Sequence, residues 1–506
     1  MSSYKRYLYI ILISIFIVYS LLGILFFVYY REPSIPLVNR TRPFFSKVEP
    51  ALVRLGLNKL YSFHFIEPEL KANFFLNFSK ADLKYKDSII DLVKSGEITV
   101  FEDRLKEWRR FNIVDNGNNI KAKFKFHGSS TYPYLNGFES FTVKSNIAVN
   151  GRKKFKLITG LEMDFNNIFF NHIAKQLELI AEDTGEIVVT NSLGEYRDFF
   201  QYEVFDEEYL FNEYGLKDIT IIRRLTFDNG KSNLHTSLLD DTPYNLDLKN
   251  ISKERVILWE KFLNDPENNR YDSNYIGRFF ALLQLFNNPH QIIGNNDKWV
   301  LSSDNRFYPV YREELNLIPL NEEDIESNLI FEKKYYSKSL DVYKKLLLDE
   351  DVLRARNLTF KKIIDLENQI LKEYDSIYSS YESIYEKFGQ NFLKTNLNKN
   401  RILSNLRNNI RSIKNYLNVG YTVLSYQDNK LRISSSRKNM LKIKLGEKTI
   451  YFLPIRLISN DLGKVKESPR ELVIDGVYDI NDLTIEDVVL KQKLIYEKDY
   501  SIIRIN

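Results

Sequence analysis

Hydrophobic and polar positions alternate with a period of two from Ile120, where Lys121, Lys123 and Lys125 interleave with Ala122, Phe124 and Phe126. That period belongs to a β-strand with one buried face. Two more strands are expected at Ser140–Lys144 and Lys154–Ile158, with Asn150-Gly151 between them as a hairpin turn. Ile168–Ile180 has the spacing of an amphipathic helix. Glu186–Thr190 and Phe199–Phe205 read as strands around the turn Asn191–Gly194. Residues 120–205 thus predict three strands, a helix and two strands. Upstream, Asp82–Phe111 has a helical pattern, with Phe101, Leu105 and Trp108 at helical spacing after a Gly-containing break.

Downstream the pattern turns helical. Ile276–Phe286 is mostly apolar, interrupted by Arg278 and Gln284, and is expected to be buried. Leu340–Leu348 and Phe360–Leu417 read as long helices whose Lys, Glu and Asn residues form a solvated face. From Tyr421 the chain changes to short alternating runs, including Leu431–Ile433, Met440–Leu445, Thr449–Leu453, Glu471–Ile474 and Ser501–Ile505. These predict a small all-β module.

One segment fits none of these periods. Tyr7–Tyr30 is 24 residues without a charge, preceded by Lys5-Arg6. As a helix it would be about 36 Å long, enough to cross a hydrocarbon layer of ~30 Å. Tyrosines at both ends suit the headgroup region. The segment is read as a single-pass membrane anchor with the bulk of the chain extracytoplasmic. Pro33, Pro36, Pro43 and Pro50 then break regular structure. The expected organisation is an anchor (1–32), a juxtamembrane stalk (33–67), a main domain with a helical extension (68–420) and the β module (421–506).

Composition narrows the chemistry. The 35 Phe and 33 Tyr can fill a large core, and the absence of cysteine excludes disulfides and thiolate zinc sites. Net charge is only +5 with signs interspersed, and no basic block interleaves with aromatics, which argues against nucleic acid. The five histidines are scattered with no HExxH, and no GxSxG is present, so zincin and nucleophile-elbow hydrolase chemistry are excluded.

A strand ending in Gly128-Ser129-Ser130, followed by lysines on the next strands, outlines a nucleotide-binding lobe. A glycine turn lets backbone N–H groups approach phosphate, and a strand lysine pairs with it as a point charge. The order of blocks resembles the CotH kinase family, the spore coat protein H-like atypical protein kinases. The blocks are KFKFHGSS (Lys123–Ser130), SFTVKS (Ser140–Ser145), GRKKFKLIT (Gly151–Thr159), FFNHIAKQLELI (Phe169–Ile180), NSLGEYRDFFQYEVFDEEYL (Asn191–Leu210), TIIRRLTFDNG (Thr220–Gly230) and HQIIGNNDKWVLSSDNRFYPVYREE (His290–Glu314).

The resemblance implies an α+β, kinase-like two-lobed fold that binds ATP with Mg or Mn and phosphorylates a protein or surface-assembly partner. Carried over, Gly128, Ser129 and Ser130 form the turn over the phosphates. Lys144 contacts them, with Lys156 as its competitor, and Glu203 lies near the nucleotide-binding strand between the lobes. His290 and Asn296 occupy the catalytic loop; Asn296 and Glu313 hold metal. The chain departs from the family where many members carry Asp, at His290 and Glu313; Asp297 substitutes for the base only under a shifted alignment. Loss of the base and a lengthened metal ligand leave a second reading: an inactive scaffold for cell-envelope or surface assembly.

Overall fold

The computed structural model of the protein describes residues 72–95, 97, 107–127, 140–158, 165–192, 195–224, 244–246, 252–266, 270–287, 292, 297–312, 317–322, 325, 340–388, 392–418, 420–459, 465–476, 482–494 and 503–505. The expected anchor and stalk lie outside these residues. Among the described residues no helix is long and apolar enough to cross a membrane.

Alternation in the first half of the chain builds a sheet that closes on itself. The strands are β1 (Phe74–Asn77), β2 (Arg109–Asp115), β3 (Asn118–Phe126), β4 (Phe141–Val149), β5 (Arg152–Ile158), β6 (Glu186–Ser192) and β7 (Glu195–Glu203). They form a barrel in the order β1-β2-β3-β4-β5-β7-β6. The closing strand is β1, antiparallel to β2 and parallel to β6, with Phe74 opposite Thr190. Asn116-Gly117 and Asn150-Gly151 turn the β2–β3 and β4–β5 hairpins, with φ of 48° and 80° and of 52° and 80°. Such paired positive φ values follow the right-handed twist of the flanking strands and favour Asn-Gly.

The alternating apolar set points inward. Phe111, Ile113, Ile120, Phe124, Phe141 and Phe155 are among the residues that fill the barrel. Helix α1 (Lys80–Ser95) packs Ile89 against this core, joined by Tyr85 and Leu92. It starts with a reciprocal cap. Ser79 Oγ accepts from the Asp82 N–H at 3.1 Å, and Asp82 Oδ2 accepts from the Ser79 N–H at 3.2 Å.

The fold expected from the sequence, a kinase-like two-lobed domain behind a transmembrane helix, is corrected here. The protein is α+β, and its first sheet is a closed seven-stranded barrel. The reason is β1, a four-residue strand whose pairing joins the two ends of the sheet. A second correction concerns Arg109–Phe111, which the periodicity put at the end of a helix. These residues begin β2, because each pairs with β3: Arg109 with Phe124, Arg110 with Lys123 and Phe111 with Ala122.

The chain divides into two compact units. One comprises residues up to 162 with 187–201 and 381–398; the other comprises 163–186, 202–380 and 399–506. The second unit opens with α2 (Phe165–Gln176) and α3 (Glu207–Tyr214). Strands β8 (Thr220–Arg224), β9 (Tyr244–Leu246), β10 (Lys298–Leu301) and β11 (Phe307–Pro309) make a sheet in the order β11-β10-β8-β9. Further helices are α4 (Lys253–Asn264), α5 (Ser273–Phe286), α6 (Leu340–Leu347), α7 (Glu350–Asp365), α8 (Glu367–Phe388) and α9 (Phe392–Asn418); residues 381–388 of α8 and 392–398 of α9 count with the first unit. Helix α5 is buried along most of its length. Gly277 lets it touch α7: a Cβ there would lie 2.5 Å from Ala355 Cβ and 2.7 Å from the Arg356 nitrogen.

The C-terminal strands β12 (Thr422–Gln427), β13 (Lys430–Ser435), β14 (Leu441–Leu445), β15 (Lys448–Phe452), β16 (Ile455–Ser459), β17 (Val465–Pro469), β18 (Glu471–Asp475), β19 (Leu483–Asp487), β20 (Gln492–Leu494) and β21 (Ile503–Ile505) pair antiparallel. Two four-stranded sheets, β18-β13-β12-β21 and β15-β14-β19-β20, share one apolar core that includes Ile433, Ile443 and Ile485. The helices do not keep all their polar residues in water, as their composition suggests. Asn409 is fully buried and donates to the carbonyls of Leu285 (2.7 Å) and Ile318 (2.9 Å). Lys344 of α6 and Arg356 of α7 are buried as well.

Candidate functional site

Two charged arrangements stand out, one in each unit. The first lies on the outer wall of the barrel. Because side chains alternate across a strand, positions opposite one another in neighbouring strands share a face. The register places Arg110 opposite Lys123, Lys123 opposite Lys144, and Lys144 opposite Lys154. Lys121 and Lys125 share β3 with Lys123, and Lys156 lies opposite Thr142 one step further along. The Lys144 amine sits 4.8 Å from the centre of the Trp108 ring, and the Lys125 amine 5.2 Å from it. A groove of about 890 Å³ runs over this wall, lined by Arg110, Lys121, Lys123, Lys144 and Asn146, with Ser79 and Asp82 at one side.

The second arrangement is buried, in the other unit. Residues 180–183 follow α2 and are held by tyrosine hydroxyls. Tyr209 and Tyr214 donate to the Ala181 carbonyl at 3.0 and 3.1 Å, and Tyr275 accepts from the Ile180 N–H at 2.9 Å. Burial pushes the Tyr209 hydroxyl far above its usual range and Tyr214 up to about 12, so both remain neutral donors. The clamp fixes Glu182 against the Lys298 amine of β10, with Arg312 Nε 3.9 Å from the same carboxylate oxygen. Asp183 Oδ2 accepts from the Glu203 N–H at 2.8 Å. Gly185 permits this path: its φ is +71°, and a Cβ there would lie 2.4 Å from the Tyr202 ring.

The residues named from the sequence fall as follows. Lys144 is exposed on β4, on the outer wall of the barrel, and Lys156 is half-buried on the same wall. Glu203 ends β7, and its backbone bonds Asp183. Asp297 is fully buried, where it accepts from Trp299 Nε1 at 3.0 Å and from the Tyr343 hydroxyl at 2.6 Å. Gly128, Ser129, Ser130, His290, Asn296 and Glu313 lie outside the described residues.

The buried Lys298–Glu182 pair was missed. Its traces in the sequence are a lysine inside the apolar strand Lys298–Leu301 and the acid pair Glu182-Asp183 after an apolar helix. The described carboxylates do not supply a metal site. Glu182 already faces two cations and Asp183 accepts a backbone N–H. Among the described residues no group of three or more His, Asp or Glu is placed to hold a metal ion. No known protein-family profile and no curated protein sequence matches this chain, so the resemblance to the CotH kinases rests on the collinear blocks alone.

Proposed function

We propose that this chain is a non-catalytic assembly protein of the cell envelope, a binding scaffold rather than an enzyme. One observation carries the reading. Asp297 is the carboxylate the sequence offers in place of the family's catalytic Asp, and it is wholly buried and bonded to Trp299 and Tyr343. A base must come within hydrogen-bond reach of the proton it removes, and a carboxylate spent on indole and phenol donors does not. The position of Lys144, on the outer face of a closed barrel, supports the same reading. The uncharged run Tyr7–Tyr30 supports an envelope location.

A second reading is an ATP- and Mg- or Mn-dependent kinase that phosphorylates a protein partner. The buried Lys298–Glu182 pair favours it, because protein kinases hold their phosphate-contacting lysine through a glutamate ion pair. Lys298 also lies two residues from Asn296. The test is thermal unfolding of the full-length protein with ATP and Mg²⁺ or Mn²⁺, alongside a phosphate-incorporation assay. A ligand at ~100 times its dissociation constant adds about 2.7 kcal/mol to stability. The scaffold reading expects no shift and no incorporation. Phosphate incorporation that disappears in Asn296→Ala would replace it with the kinase reading.

A further inference from the structure

The geometry points to the outer wall of the barrel as a binding face for a linear, phosphate-bearing polyanion. Arg110, Lys123, Lys144 and Lys154 form an unbroken row across β2, β3, β4 and β5. With neighbouring strands ~4.8 Å apart, the row is about 14 Å long. Like charges directly opposite one another on a sheet destabilise it, and protein surfaces ordinarily mix the two signs. Here they are not mixed. Among the described residues, the outward positions of β2 to β5 hold no acid.

The one acid lining the groove, Asp82, is engaged at its edge by Arg109 Nε at 3.0 Å and by Ser79. Arg110, Lys121, Lys123 and Lys144 are all exposed. An anion seated in the groove would relieve the repulsion among Arg110, Lys121, Lys123 and Lys144.

The shape selects the ligand. A single phosphate engages one or two amines, whereas the four cations that line the groove, Arg110, Lys121, Lys123 and Lys144, match several phosphates in line. A nucleic-acid strand would call for open aromatic faces on which bases stack, and the Trp108 ring already carries the amines of Lys144 and Lys125. A membrane surface would call for apolar side chains that enter the acyl boundary. Among the described residues the groove lining offers only Phe78 and Phe111, which pack toward the core, and Ala122. The inference does not depend on whether the chain turns over nucleotide.

The test is binding of inorganic polyphosphate to the full-length protein as a function of salt. Four contacts at ~0.7 per phosphate give a slope near −3 in log K against log salt. Lys123→Gln/Lys144→Gln should roughly halve that slope and weaken binding, while orthophosphate at equal phosphate concentration should compete poorly. Lys444→Gln/Lys448→Gln removes two exposed lysines from the C-terminal strands and should leave slope and affinity unchanged. Melting curves and the single variant Lys123→Gln separate a lost site from a lost fold. Equal slopes in the wild type and the folded double variant would overturn the inference. So would binding to phosphatidylglycerol vesicles or to a single-stranded oligonucleotide with none to polyphosphate.

Discussion

Asp82 shows how one side chain can serve two partners at once. Burial works against its ionisation, but the Ser79 hydrogen bonds and the Arg109 guanidinium outweigh burial and hold its carboxyl below the usual value of 3.8. A carboxyl that titrates lower when folded than when unfolded stabilises the fold above its ordinary pKa. That contribution is lost as pH falls through the folded pKa. Acid unfolding of the wild type should therefore steepen below about pH 4, and Asp82→Asn should flatten that limb. Ser79→Ala should cost about 1 kcal/mol at neutral pH through the lost cap, read from urea unfolding. The capping pair Ser79-x-x-Asp82 is legible in the sequence; its third partner Arg109 is not, because a contact 27 residues away depends on the barrel.

Pairing between elements decides what the sequence pattern alone leaves open. The alternation of Lys121, Lys123 and Lys125 is visible by eye, yet a solvated strand face would look the same. Only the register sets Arg110 and Lys144 on either side of Lys123, and Lys154 beside Lys144. Relieving one repulsion in this row should stabilise the unliganded protein, contrary to the usual sign of a substitution. Lys123→Thr is expected to raise stability by about 0.2–1 kcal/mol in low salt, with the gain shrinking in high salt as screening replaces it. A thermal melt at two ionic strengths checks both parts. The Asn-Gly turns illustrate the legible side, since a two-residue loop dictates its neighbours' register locally. Helix against strand at Arg109–Phe111 was not legible, because apolar spacing upstream mimics a helix while the deciding partner, β3, enters only through the hairpin that follows.

At the scale of the whole molecule, a buried ionic network ties helices to the C-terminal strands within the second unit. Arg356 of α7 is fully buried, donates to the Tyr416 hydroxyl of α9 at 2.7 Å, and lies 3.8 Å from Glu467 of β17. Lys438 completes it at 2.7 Å from the same carboxylate. Burial raises the Tyr416 hydroxyl well above its usual range, so it stays protonated and donates to Glu467 at 2.5 Å. Glu467→Ala leaves two cations without their counter-ion and should cost on the order of 3–5 kcal/mol, with the β strands and helices losing protection together in hydrogen exchange. The sequence showed the polar residues of these helices but not which of them turn inward, since a charge is buried only where a partner from a distant segment meets it.

Closure of the barrel through β1 also has a consequence in time. Phe74 waits for Thr190, 116 residues later in the chain. At ribosomal rates of ~5–20 residues per second, that interval is roughly 6–23 s. Until β6 and then β7 emerge, the growing chain carries β1 to β5 as an open sheet with unpaired backbone at its borders. The nascent protein therefore spends seconds in a form that a chaperone can hold and a neighbouring nascent chain can join.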